Sequence, residues 1–154
     1  MAVDQQHPAT NHHGLSTVLG YPRMGRGRAL KKVTEAYWRG DVSAADLASA
    51  AAAIRHETWA SLRGAGLDQV PCNDFSLYDQ MLDTAMLVGA IPESHRGADA
   101  SAGATLERYF AMARGSAQAA PLEMTKWFDT NYHYLVPELE PGVRLTLNAR
   151  KPLD

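Results

Sequence analysis

Apolar residues recur at helical spacing in four stretches of this chain and run together or alternate in four others. Leu15 to Gly20 is a short β-prone run, closed by Gly20-Tyr21-Pro22 and by a loop holding Gly25 and Gly27. From Arg28 the positions Leu30, Val33, Tyr37 and Trp38 predict a helix that Gly40-Asp41 stops. Ser43 followed three residues later by Asp46 predicts a second start, and Leu47, Ala51, Ile54, Thr58 and Leu62 continue one face as far as Gly64 and Gly66. Leu67 to Cys72 reads as a buried strand, with Asn73 or Asp74 as a cap, and Leu77 to Val88 as a helix packed on both sides. Pro92 to Gly103 reads as loop and Thr105 to Ala113 as a short helix. Glu123 to Val136 is β-prone and aromatic, and Val143 to Leu147 alternates as a half-buried strand does. Lys151 to Asp154 reads as the entry to another helix.

Strands separated by helices predict an α/β fold with parallel pairing. Three or four strands are too few for a closed eight-stranded barrel, which takes about 250 residues. At 154 residues the chain suits one domain with a sizeable core. Residues 1–14 are polar and read as a disordered leader, leaving 15–154 as the folded part.

Charge sharpens this picture. Arg23 to Lys32 holds five of the fifteen Lys and Arg residues, and no acid lies between Asp4 and Glu35; the ten cations elsewhere face seventeen acids. That acidic remainder argues against a nucleic-acid partner. No apolar run approaches the roughly 20 residues that span a bilayer, so no membrane partner is expected. Cys72, the one cysteine, permits no internal disulfide and fits a cytoplasmic protein. No metal site is expected: His7, His12 and His13 sit in the leader, His56 on the polar side of its helix and His95 in a loop, while Cys72 reads as a small buried hydrophobe.

Arg28, Lys31 and Lys32 fall where a helix begins, so each cation is opposed by the dipole by about 0.3 to 1 kcal/mol. An anion would answer them, accepting from free backbone amides while pairing with the side chains. The alternative is a solvated face with Lys31 paired to Glu35. GRGRALKK matches neither dinucleotide nor Walker glycine spacing. Lys126, Trp127, Phe128, Asp129, Asn131 and His133 mix rings with charged and amide groups, as ligand sites do, although such rings also pack cores. For the acids, Asp74 is expected to cap a helix and Asp79 and Asp83 to bond to basic neighbours.

The words Gly20-Tyr21-Pro22-Arg23-Met24-Gly25, Leu30-Lys31-Lys32 and Glu35-Ala36-Tyr37-Trp38 resemble the opening of the cobalamin-independent methionine synthases. Further resemblance follows in the same order: Asp74-Phe75-Ser76-Leu77-Tyr78-Asp79, Leu87 to Pro92, Tyr109 to Gly115, and Glu123 to Tyr134. The resemblance implies the first part of an N-terminal barrel, an incomplete (β/α)8 TIM-type unit of three or four strands with their helices. It implies an enzyme that transfers a methyl group from 5-methyltetrahydropteroyl-polyglutamate to homocysteine, with zinc held in a C-terminal barrel by ligands this chain does not contain.

By the same resemblance, Gly27, Arg28, Ala29, Leu30, Lys31, Lys126 and Asn131 contact the folate polyglutamate tail, and no catalytic residue or cofactor is assigned to this chain. The part is expected to be inactive alone and to take the remainder of the enzyme as a partner. A non-enzymatic folate- or anion-binding or docking module is the alternative.

Overall fold

One helix start and one helix end are written into the chain by their caps, and both appear in the computed structural model, which describes residues 14–96 and 106–147. Ser43 Oγ accepts from Asp46 N at 3.1 Å while Asp46 Oδ2 accepts from Ser43 N at 2.9 Å, a complete capping box opening α2, Ala44–Gly64. The preceding helix, α1, Ala29–Arg39, is closed by Gly40 at φ 80°, whose amide donates to the carbonyls of Ala36 and Tyr37. α1 packs on α2, with Leu30 against Leu47, Ala51 and Ile54 in one core.

The remaining helices are shorter. α3, Gln80–Leu87, begins three residues later than the apolar run, because Asp79 caps it by accepting from Leu82 N at 3.0 Å. The expected cap Asp74 instead accepts from Tyr21 N at 3.1 Å. α4, Glu93–Arg96, stands within the expected Pro92 to Gly103 loop, and α5 is Leu106–Arg114. Phe110 on α5 joins the layers: its ring lies 5.5 Å from Tyr37 and 5.4 Å, edge-on, from Trp38 of α1.

Among the described residues the sheet is a two-stranded antiparallel hairpin, β1 Met124–Lys126 and β2 His133–Leu135, with Lys126 opposite His133. The expected strands at 15–20 and 67–72 do not form a ladder. They do run side by side in the same direction. Gln69 N donates to Ser16 O at 3.1 Å, Asp68 Oδ2 takes the amide and hydroxyl of Ser16, and Asp74 takes the amide of Tyr21. Parallel strands require cover on both faces; here Leu15 and Leu19 are exposed, Leu19 completely, and side-chain carboxylates substitute for ladder bonds.

The expected strand at 143–147 is likewise irregular, fastened by Thr146 N to Val88 O at 3.0 Å, with Leu145 and Leu147 exposed rather than half-buried. Cys72, expected in the core, is exposed, since no ladder turns its side of the segment inward. His95, expected in a loop, is buried in α4 with Nε2 donating to Ala120 O at 3.0 Å. His56 is exposed. The leader, His7, His12, His13 and the helix entry at 151–154 lie outside the described residues, apart from the exposed Gly14.

Candidate functional site

The basic turn is shaped by backbone that few residues adopt. Gly25 has φ 68°, Gly27 φ 60° and Arg28 φ 61°, so two left-handed residues follow one another immediately before α1. A side chain at Gly25 would also meet Ile54 of α2 at 3.3 Å. For Arg28 the left-handed conformation costs on the order of 1 kcal/mol or more, and such strain persists where surrounding bonds over-determine it. Those bonds are present: Arg28 N donates to Gly25 O at 3.3 Å, Ala29 N to Arg26 O, and Leu30 N to Met24 O at 3.0 Å.

One expectation changes as a result. The amides of Arg28, Ala29 and Leu30 are already engaged, so this turn offers an anion its side chains rather than those three N–H groups. Leu30 is 1% exposed and anchors α1 in the core. Lys31 is exposed and pairs with Glu35 at 3.5 Å, the arrangement of the solvated-face alternative. Arg26 reaches Glu57 at 3.7 Å. Exposed pairs of this kind contribute about 0 to 1 kcal/mol and exchange readily for a better anion. Arg28 and Lys32 have no carboxylate partner among the described residues, and Lys32 Nζ lies 4.0 Å from where a Gly27 Cβ would stand.

Arg23 is different. Its guanidinium is turned inward, donating to Ser76 O at 2.8 Å, Leu77 O at 3.3 Å and Tyr78 O at 2.8 Å, so it splints backbone instead of joining the exposed cations.

The second candidate segment is the β1–β2 hairpin. Its turn is closed by Trp127 N to Tyr132 O at 2.8 Å and by Thr130, whose hydroxyl donates to Trp127 O at 2.6 Å. Lys126 and Asn131 are exposed, and neither side chain has a polar partner among the described residues. Trp127 and Phe128 are exposed and meet edge to face at 5.0 Å. The structure thus groups Gly27 to Lys31 on one turn and Lys126 with Asn131 on one hairpin. Residues 76–79 connect the two groups.

That connector is a buried polar network whose importance the sequence did not disclose. Tyr109 Oη donates to Asp83 Oδ1 at 2.7 Å and accepts the amides of Tyr78 and Asp79 at 3.0 and 3.3 Å. Asp79 Oδ2 accepts from Leu82 N and, at 3.2 Å, from Leu135 N of β2; its Oδ1 accepts the Tyr132 hydroxyl at 2.8 Å. Asp79 therefore bonds to amides and a phenol rather than to the expected basic neighbour. An Asp three residues before Leu82 was the available signal for the cap; nothing local announced Tyr109 or Tyr132 as its companions.

Burial of the Tyr132 hydroxyl, then its bond to Asp79 and that carboxylate's charge, push the phenol up to about 12 from 10.0. Burial, followed by the charge of Asp83, raises Tyr109 further. Above pH 10 the unfolded chain releases these protons while the native chain retains them, so stability present below pH 10 is lost as pH rises towards 12. Urea midpoints measured from pH 9 to 12 are expected to fall, and Tyr132→Phe to flatten part of that slope; an unchanged slope would contradict the Tyr132–Asp79 bond.

These elements define a helix-rich α/β unit that presents an exposed basic turn and an exposed aromatic hairpin. The chain belongs to the family described as cobalamin-independent synthase, N-terminal domain, whose model matches residues 15–154. It is 58% identical over 136 residues to a 5-methyltetrahydropteroyltriglutamate–homocysteine methyltransferase of Streptomyces coelicolor, covering 88% of this chain and 17% of that protein. Proteins of the same name from Mycolicibacterium paratuberculosis and Mycobacterium tuberculosis H37Rv are 54% and 56% identical over 139 and 138 residues, in each case 90% of this chain and 18% of the relative. The chain thus spans less than a fifth of the length of these relatives.

Among the described residues no group of three or more His, Cys, Asp or Glu side chains could hold a metal ion. Zinc therefore finds no fitting ligand set there, and no residue is assigned to it. No helix among them is long and apolar enough to cross a membrane.

Proposed function

We propose that this chain supplies the folate polyglutamate-tail site of a methyltransferase that passes a methyl group from 5-methyltetrahydropteroyl-polyglutamate to homocysteine. Arg28, Lys31 and Lys126 offer charges and Asn131 a donor amide, while Gly27, Ala29 and Leu30 shape and anchor the turn. The supporting observation is that Arg28 and Lys126 hold no carboxylate among the described residues and Lys31 only a loose one. Successive γ-linked glutamates present carboxylates that suit separated point charges, since charge-assisted bonds are about twice as strong as neutral ones.

On this reading the chain is the opening part of an N-terminal (β/α) barrel in a cytoplasmic enzyme. The side-by-side segments at 15–20 and 67–72 are its first two strand positions, and exposed Leu15, Leu19, Leu145 and Leu147 are covered by the remainder of the enzyme, the proposed partner. The chain alone carries no methyl transfer; methionine formation by the purified chain would contradict this.

Calorimetry with 5-methyltetrahydrofolate triglutamate tests the site. Lys31→Ala is expected to weaken tail binding by about 1 to 3 kcal/mol, the worth of a lost charge-assisted bond. Unchanged affinity would return Lys31 to the solvated face, with Glu35 as its only business.

A further inference from the structure

We propose that Tyr132 is a positioning residue for this ligand site: through the Asp79 carboxylate it fixes the turn carrying Lys126 and Asn131 relative to the segment carrying Arg28 and Lys31. The proposal rests on the folate-tail reading above.

The turn from Trp127 to Tyr132 stands on the surface and is closed by its own bonds. Such a turn can swing about its two strands unless something outside it is gripped. Tyr132 supplies that grip. Among the described residues it is the one side chain of the turn with a hydrogen bond, ion pair or ring contact beyond the hairpin, its hydroxyl donating to Asp79 Oδ1 at 2.8 Å. Its ring is half exposed, so the hydroxyl, not ring burial, makes the connection specific.

The other end of the connection is rigid. Asp79 follows directly on residues 76–78, whose three carbonyls are held by the Arg23 guanidinium, and the Tyr109 hydroxyl takes the amides of Tyr78 and Asp79. Arg23 in turn opens the basic turn, where Met24 O accepts from Leu30 N. A short run of bonds therefore joins Tyr132 to the first turn of α1.

A string of carboxylates reads the spacing of cations, so its affinity depends on how well that spacing is set before binding. On this proposal a single glutamate meets one of the two segments, so its affinity does not follow their spacing. Tyr132 thus selects for glutamate chain length without touching the ligand.

The test is calorimetry on this 154-residue chain with 5-methyltetrahydrofolate monoglutamate and triglutamate. Tyr132→Phe is expected to weaken triglutamate binding about 5- to 10-fold, as loss of one hydrogen bond allows, and to leave monoglutamate binding within about twofold. In a Lys126→Ala background Tyr132→Phe should add clearly less than it costs alone, because one of the two residues it positions is gone. Equal weakening of both ligands, or a full additional loss on top of Lys126→Ala, overturns the proposal. Absence of triglutamate binding by the unaltered chain, or indifference of that binding to both Lys31→Ala and Lys126→Ala, overturns the folate-tail reading instead.

Discussion

Asp79→Ala is expected to destabilise the chain by about 3 kcal/mol or more, since buried donors left unpaired cost about 1 to 3 kcal/mol each. Three donors converge on this one carboxylate: Leu82 N at the start of α3, Leu135 N in β2 and the Tyr132 hydroxyl. Leu82 and Leu135 are each 1% exposed, so water cannot readily replace the lost oxygen at their amides. The cap itself accounts for about 1 kcal/mol of the loss; the rest comes from unfastening the hairpin from α3. Asp79→Asn keeps one acceptor oxygen and should recover part of the stability. Urea unfolding of the three proteins gives the comparison, and a loss below about 1 kcal/mol for the alanine variant would show that the convergence is not energetically real.

Phe110→Ala should cost about 3 to 5 kcal/mol, the range for removing a buried aromatic ring. The ring is 6% exposed and touches Tyr37, Trp38 and Tyr109 at centroid distances of 5.3 to 5.5 Å, so its removal separates α5 from α1. Phe128→Ala is the matched control. That ring is 81% exposed at the tip of the hairpin, and its loss should change stability by no more than about 0.5 kcal/mol. Equal effects from the two substitutions would deny that the core lies between these helices.

The features legible in the sequence are those decided locally. Ser43 and Asp46 close a capping box within four residues, and Gly40 ends α1 through its own conformation. The strands are another matter. Leu15 to Gly20 and Leu67 to Cys72 carry β-prone residues, but a ladder depends on neighbours on both sides, and propensity alone does not provide them. Antiparallel pairing succeeded at 124–135, where a short turn brings both strands together without a crossover.

The site divides in the same way. Clustered cations at 23–32 are plain in one dimension, yet their fates are not: Arg23 turns inward onto carbonyls while Lys31 stays exposed. The amides expected to be free are consumed by Met24, Gly25 and Arg26. The sequence points to Asp74 as the cap and to Asp79 as the partner of a basic group, and the fold decides otherwise, since Tyr21 arrives at one and Leu135 at the other.

The paired left-handed residues at Gly27 and Arg28 limit how this recognition element could be borrowed. The turn that holds them is backed by Ile54 of α2, 3.3 Å from where a Gly25 side chain would begin, and by Arg23 clamped to a distant stretch of chain. A synthetic peptide spanning only 23–39 would carry every cation and none of that scaffolding. It would relax into ordinary right-handed backbone and present its charges in the wrong directions, so a minimal mimic has to import its support along with its lysines.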